Sequence, residues 1–348
     1  SQGFGTRRVC AGLIQQGHVT VGGVVQTDAG ALYPTEGLVF TVQGTEWTFH
    51  EHAYVLLHKP AGTECSQKPS TWPSVYTLLP APLRQRVVSG EGLAIRWLET
   101  RTPAEMELYP SIVRTAHAVI AEAFSAKVIT PGVTTAEQVQ WWYRDRLLQL
   151  GLEPWFHPSV GIQRQGVKGM LEGAEVIQPG DLLWTDFGIT YLRLNTDTQH
   201  LAYVLKPGES DAPAGLRQGL ANSNSLQDIL RRQFVAGRSG NAVLRQARAE
   251  AIAAGLDPSI YSHPIGLHGH GAGPAIGFWD NQNGDARGDR PINANTAWSI
   301  ELTSYAAVPE WGGQRVDFRS EENAFFDGQT LRFIDGRQTE LTLIPAKP

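Results

Sequence analysis

Residues Trp184–Asp197 read WTDFGITYLRLNTD, two short β-like runs folded back on each other, each carrying one aspartate among mostly apolar neighbours. An ionised carboxylate in such a setting needs a compensating charge, or its pKa rises and it takes up a proton. No lysine lies in the stretch, and its one arginine is Arg193. Something else must balance Asp186 and Asp197.

Candidate partners appear further along the chain. From residue 180 onward the metal-ligating residue types fall in the order Asp186, Asp197, His263, Glu301 and Glu321, in the contexts TDFG, NTDTQH, HPIGLHGH, SIELT and FRSEENAFF. Four carboxylates and one imidazole can hold two divalent cations with a carboxylate between them, and an oxygen-rich set of this kind suits Mn, Co, Fe or Zn. Two such ions share a water, lower its pKa and supply hydroxide at neutral pH. Taken singly, an aspartate in a hairpin is usually a turn or solvent-facing residue. The Glu321–Glu322 pair likewise reads as a solvated surface pair. The order and the contexts carry the weight.

The chain has 348 residues, enough for two domains or one large one. A formal net charge of -5 argues against a surface dominated by nucleic-acid electrostatics. Two cysteines, Cys10 and Cys65, fit a reducing cytoplasm, which is the expected location. No apolar run approaches the roughly 20 residues that span a bilayer. The chain starts at Ser1 without an initiator methionine, which suggests a fragment or a processed product.

The style of the sequence changes near RVVSGEG, residues 86–92. Before it, runs such as HVTVGGVV, GLVFTVQG and EWTFHEHAYVLLHKP alternate β-formers with glycine, as in small mixed α+β structure. After it, helical periodicity predicts helices over 102–124, 134–151, 213–235 and 240–255. Pro110 is expected to kink or interrupt the first. Thr134 and Glu137 stand at capping-box spacing, and Gly151 marks the stop of the second. Hairpin-like β segments are expected at 180–205, 265–278, 296–305 and 313–334. The fold class is therefore α+β, helices packed on a curved sheet.

From about Val88 to the end, the chain resembles the pita-bread (creatinase/aminopeptidase-like) metallopeptidase family, which includes methionine aminopeptidase, prolidase and Xaa-Pro aminopeptidase. Two aspartates eleven positions apart match its first two metal ligands, and HPIGLHGH matches its His-x-x-Gly-x-x-x-His pattern through His263, Gly266 and His270. Glu301 in SIELT matches the fourth ligand; Arg319, Glu321 and Glu322 match the Arg-x-Glu-acidic context of the fifth. Glu321 keeps the apolar positions of FRSEENAFF in register, whereas a slip to Glu322 moves the carboxylate to the other strand face. The resemblance implies two divalent ions, with Asp186 on one, Asp197 and Glu321 bridging, and His263 and Glu301 completing the set. It implies Glu301 as acid/base and His270 as hydrogen-bond donor to substrate, with His268 structural or at the rim. WFHPSVGIQRQG, VPEWGGQRV and FIDGRQTELTLIP look most like a bacterial Xaa-Pro peptidase branch. The substrate-contacting histidine that the family often carries before its first metal strand has no match in GIQRQGVKGM.

Residues 1–87 resemble something unrelated. GTRRVCAGLIQQGHVTVGGVV reads as a small RNA-binding helix pair followed by a strand. YVLLHKPAGTECSQKPSTWPSVYTLLP is similar to the start of the catalytic domain of small-subunit rRNA pseudouridine synthases, with Lys59 in their Lys-Pro-x-Gly motif. That resemblance implies phosphate contacts by Arg7 and Arg8. Six Lys/Arg against five acids in this segment make no strong basic patch. The family's Gly-Arg-Leu-Asp motif, which carries its nucleophilic aspartate, is missing, so no pseudouridine synthase activity is expected. A join of two truncated genes explains both halves.

The expected protein is thus a pseudouridine-synthase-like RNA-binding region (1–87) before a pita-bread metallopeptidase domain (88–348). It is expected to hydrolyse short Xaa-Pro peptides with a metal-activated water. Rival readings are a non-catalytic pita-bread binding protein and an RNA-binding remnant. Weak RNA contact, a homodimer and no membrane association complete the expectations.

Overall fold

The structure, a computed structural model, describes residues 2–51, 60–65, 68–79 and 91–346. Contacts divide the chain into two units, Ser1–Gly90 and Glu91–Pro348.

In the first unit, Thr6 caps helix α1 (Arg7–Gln15) by accepting from the Val9 N–H. Strands β1 (Val19–Val21), β2 (Val24–Gln26), β3 (Val39–Val42) and β4 (Thr45–Thr48) form an antiparallel sheet in the order β2-β1-β3-β4. The two-residue loops Gly22–Gly23 and Gln43–Gly44 hold positive φ at both positions, as such hairpins require. Residues 5–25 thus hold one helix and a hairpin, a correction of the helix pair expected there. The second helix is replaced by the β1–β2 hairpin, whose alternating valines and Gly22–Gly23 turn favour pairing.

The second unit begins with α2 (Glu91–Glu99) and α3 (Pro103–Ala123). Thr102 and Glu105 form a reciprocal capping box at the start of α3, with Pro103 in its first turn. The helix continues through Pro110 instead of breaking there, with Tyr109, Ile112 and Val113 buried around it. Helix α4 (Ala136–Leu150) is capped by Thr135 and Gln138, one residue later than the sequence suggested. Thr134 is engaged elsewhere, its hydroxyl accepting from the Thr130 N–H. Gly151 ends α4 at φ +68°. Helices α5 (Ala214–Arg232) and α6 (Gly240–Ala253) follow.

The main sheet contains β6 (Ser159–Gln163), β7 (Leu182–Phe187), β10 (Thr198–Val204), β11 (Asp257–Ile260), β13 (Thr296–Val308) and β14 (Gln314–Phe326), ordered β11-β13-β14-β10-β7-β6. Shorter β12 (His263–Ile265), β15 (Leu331–Phe333) and β16 (Thr342–Ile344) add to β13, β14 and β10. Strands β5 (Glu153–Pro154), β8 (Ile189–Tyr191) and β9 (Leu194–Asn195) make a separate small sheet. Trp184–Asp197 is therefore more than one hairpin, since β7 pairs with β10 while β8 and β9 fold back between them. The expected β segment at 265–278 is mostly loop after Ile265. Its glycines have no room for a Cβ: at Gly269 it would meet the Trp155 ring, and at Gly271 the Pro264 carbonyl.

Side-chain parity sorts the two faces of this sheet. Leu183, Phe187, Ala202 and Val204 pack with Tyr109, Ile112 and Val113 of α3 and Val139, Tyr143 and Leu147 of α4. Trp298, Ile300, Leu302 and Phe326 pack with Leu226 and Leu230 of α5 and Val243, Leu244 and Ala247 of α6. The N-terminal part of α5, through Leu216 and Leu220, belongs instead to a third cluster with Leu182, Trp184, Leu201 and Tyr203. Asp186, Gln199, Ser299 and Glu301 have the opposite parity to Leu183, Phe187, Ala202, Trp298 and Ile300. These features are the α+β pita-bread arrangement.

Candidate metal centre

Asp186 lies near the end of β7 and Asp197 directly before β10, with Asp186 opposite Gln199 and Phe187 opposite Thr198. The excursion between the aspartates turns at Leu192 and Arg193, both at positive φ. Its return is held at Gly188, where a Cβ would lie 2.3 Å from the Thr196 carbonyl oxygen and 2.3 Å from Trp155 Nε1. Trp155 Nε1–H donates to that carbonyl at 2.7 Å. The Asp197 N–H donates to Asn323 Oδ1 at 3.2 Å, and the Tyr109 hydroxyl donates to the Asn195 carbonyl.

Three neighbouring strands place the other acids. Glu301 of β13 is opposite Glu321 of β14, and Glu321 is opposite Gln199 of β10. His263 opens β12 opposite Ser299. Its Nε2 stands 3.4 Å from Glu321 Oε1, 3.7 Å from Asp197 Oδ2 and 3.8 Å from Glu301 Oε2. Three sets of donor atoms lie within 4.8 Å of one another, His263–Glu301–Glu321, Asp186–Asp197–Glu321 and Asp197–His263–His270, and Glu321 joins the first two. The five residues expected from the sequence converge.

Proton accounting shows what this cluster lacks. His263 Nδ1 is 3.0 Å from the Pro264 carbonyl, which can only accept, so the proton of the neutral ring sits on Nδ1. The Nε2 lone pair then faces carboxylate oxygens. Among the described residues, His263 Nε2, Asp186 Oδ1 and Asp197 Oδ1 are buried without a hydrogen-bond partner. Unpaired buried acceptors that face one another are costly, and a cation satisfies all of them together. Desolvation first, and then the charge of Glu321, pushes Asp186, Asp197 and Glu301 well above the usual carboxylate range. Arg319, stacked over the Trp184 ring, lowers Asp186 and Glu301 as the weakest influence on each. Nearby arginine does not balance the acids. The donor set fits divalent ions.

Gln199 was not singled out from the sequence. Trp184 Nε1–H donates to its Oε1 at 2.9 Å, which turns the amide nitrogen toward the acids. That nitrogen donates to Glu321 Oε2 at 2.6 Å and Glu301 Oε1 at 3.0 Å. Ser299 donates to Glu321 Oε1, and the Tyr261 ring lies 5.4 Å from that of His263. Ser299 shares β13 and its face with Glu301, two positions on, while Gln199 and Tyr261 stand two positions from Asp197 and His263.

His270 stands beside the cluster, its ring 4.5 Å from that of His263 and 5.5 Å from that of Trp155. Partial loss of water and the neighbouring His263 hold its pKa below the usual histidine value. His268 is exposed, and its carbonyl accepts from the Gly266 N–H. Arg7 and Arg8 are exposed on α1 in the N-terminal unit. Lys59 lies outside the described residues.

The model of metallopeptidase family M24 matches residues 111–318, more than half of the chain, and Glu321 lies three positions beyond the match. The X-Pro aminopeptidase of Thermotoga maritima superposes with a TM-score of 0.57 at 18% identity, covering 72% of this chain and 66% of its own. The methionine aminopeptidase of Rickettsia prowazekii superposes with a TM-score of 0.52 at 11% identity, covering 69% of this chain and 100% of its own. At these identities the likeness is one of fold. The N-terminal part is 38% identical over 74 residues to the ribosomal small subunit pseudouridine synthase A of Vibrio cholerae. That match covers 21% of this chain and 32% of the synthase. Among the described residues no helix is long and apolar enough to cross a membrane.

Proposed function

Because the chain belongs to metallopeptidase family M24, we propose that Asp186, Asp197, His263, Glu301 and Glu321 hold two divalent cations and that the protein hydrolyses short peptides with proline in the second position. One observation carries the metal part of this reading. Three buried atoms, His263 Nε2, Asp186 Oδ1 and Asp197 Oδ1, face one site without a partner. The two overlapping donor sets joined at Glu321 support two ions over one. The aminopeptidase likeness supports a peptide substrate, and the sequence resemblance supports the Xaa-Pro preference.

Bound ions of this class supply Lewis acidity and a water of lowered pKa. Glu301 is the base: its side chain is 23% exposed, against 1% for Glu321 and 5% for Asp197, so it alone of these three opens toward substrate. It takes the proton of the attacking water and returns it to the leaving amine. Gln199 fixes Glu301 by holding Oε1, which leaves Oε2 toward His263. His270, on the exposed side of His263, donates a hydrogen bond to the oxygen that gains charge as the carbonyl becomes tetrahedral. The test is cleavage of an Xaa-Pro dipeptide and an Xaa-Pro-containing tripeptide with Mn or Co. Turnover by the wild type and its loss in Glu301→Ala support the reading. Metal-loaded wild type that cleaves neither peptide overturns it.

For the N-terminal unit we propose RNA contact through Arg7 and Arg8, supported by the match to a pseudouridine synthase and the exposure of both side chains. Salt-sensitive binding of rRNA fragments that weakens in an Arg7/Arg8 double alanine variant is the expected result. Binding indifferent to these arginines removes the proposal.

A further inference from the structure

A second cluster of metal-ligating side chains lies on the face of β14 opposite Glu321. Glu322, 1% exposed, turns toward the helices, where α3 supplies His117 and β10 supplies His200. His117 Nε2 is 3.0 Å from Glu322 Oε2 and His200 Nε2 is 2.9 Å from Glu322 Oε1. The Gln338 N–H donates to the same Oε1 at 2.8 Å and fixes the carboxylate. The two imidazole rings lie 5.1 Å apart.

His117 has a carboxylate at each end. Its Nδ1 is 3.3 Å from Asp335 Oδ2, and Asp335 is itself held by Arg114 at 2.9 Å. A neutral imidazole carries one proton and satisfies one of these contacts. The other contact needs a positive charge, either a second proton or a cation at Nε2. With the ring proton on Nδ1 toward Asp335, Nε2 presents its lone pair to the side where Glu322 and His200 lie. A carboxylate behind an imidazole is the arrangement that orients metal-ligating histidines.

The donor spacing also suits an ion. The three ligand atoms all lie within 4.8 Å of one another. Nitrogen and carboxylate ligands bind zinc at roughly 2.0–2.2 Å, which sets neighbouring donors roughly 3.0–3.5 Å apart. Two histidines and a glutamate leave a position for water, and side-chain exposures of 17% at His117 and 13% at His200 give an ion a path in. We propose that His117, His200 and Glu322 form a second, separate site for one zinc-class divalent cation, which ties α3 to β10 and β14 behind the strands that carry Gln199 and Glu321. Nothing in this proposal requires the peptidase reading.

The test is cobalt titration of the metal-stripped full chain, followed by visible absorption and calorimetry. In an Asp197→Asn/His263→Ala variant, whose first site is disabled, one equivalent of cobalt is expected to remain, and adding His200→Ala should remove it. Should that variant fail to fold by circular dichroism, His200→Gln in the wild-type background replaces it. There the zinc stoichiometry should fall by one equivalent while cobalt absorption from the Asp197–His263 site persists. A folded first-site variant that binds no ion, or a His200→Gln protein with wild-type stoichiometry, overturns the proposal and assigns the cluster to an imidazolium–carboxylate network. A failed peptidase assay alone leaves these outcomes unchanged, so the two readings fail separately.

Discussion

Glu321 and Glu322 are consecutive in β14, yet their carboxylates lie on opposite faces of the sheet. Glu321 meets Ser299 and Gln199, and Glu322 meets His117 and His200. The pleat alone produces this separation. It places two clusters of metal-ligating groups back to back, and it makes the two glutamates separable by mutation.

Glu321→Ala should abolish metal binding at the Asp197–His263 site while leaving a folded chain. Glu322→Ala should instead destabilise the fold by about 3–5 kcal/mol, the usual cost of removing one partner from a buried charge pair. Chemical denaturation beside metal titration checks both. Loss of the ions of the Asp197–His263 site in folded Glu322→Ala would contradict the assignment of faces.

Metal-free stability should depend on pH in a definite direction. Asp186, Asp197 and Glu301 have raised folded values, so above the ordinary carboxylate pKa of about 4 the native state binds more protons than the unfolded chain. Their contribution is fully present below that pKa and is lost as pH rises through the folded values. The metal-free melting temperature should therefore rise as pH is lowered toward the ordinary carboxylate pKa of about 4, and bound metal should remove that slope. Glu322 has the opposite sign. Desolvation would raise its carboxyl, but His200 and His117 hold it down to about 2, so its contribution is lost only as pH falls from about 4.5 toward 2. Melting curves in chelator and in manganese test both signs.

Gly188→Ala tests the turn between the two aspartates. The added methyl would meet the Thr196 carbonyl and Trp155 Nε1, and a backbone oxygen cannot swing aside. A loss of about 1–3 kcal/mol is expected, as for overpacking elsewhere. Metal affinity should weaken with it, because Asp197 follows Thr196 directly. Unchanged affinity in a folded variant would separate the turn from the site.

Gln199→Ala removes the donor shared by Glu301 and Glu321 and leaves the Trp184 N–H unpaired. Loss of such an outer partner typically weakens metal binding by about 10–100-fold. Calorimetric titration checks the magnitude. Restoration by Gln199→Asn would show that the amide matters more than its reach.

The five converging residues were legible because their spacing and contexts survive in the linear sequence. Asp186 and Asp197 bracket an excursion of fixed length, and Glu321 rather than Glu322 keeps the apolar face of β14 in register. Gln199, Ser299 and Tyr261 were less visible, since uncharged polar residues on a strand look the same whether they face an ion or a neighbour. His117 could not be read at all. Its partners His200 and Glu322 are more than eighty positions away, and its place on α3 suggests an ordinary helix surface. The miss at 265–278 has a local cause. The residues after Ile265 contain close-packed glycines that hold a loop against Trp155 and Pro264 in place of the expected hairpin-like β segment. Pro110 failed as a breaker because tertiary packing on both sides outweighed one lost backbone hydrogen bond.

The most direct measurement is calorimetric titration of the metal-stripped wild-type chain with manganese or cobalt, beside an Asp197→Ala/His263→Ala variant. Saturable binding by the wild type, with the ions bound by Asp197 and His263 lost in the variant, is the predicted result. A folded wild type that takes up no ion at these residues would contradict it.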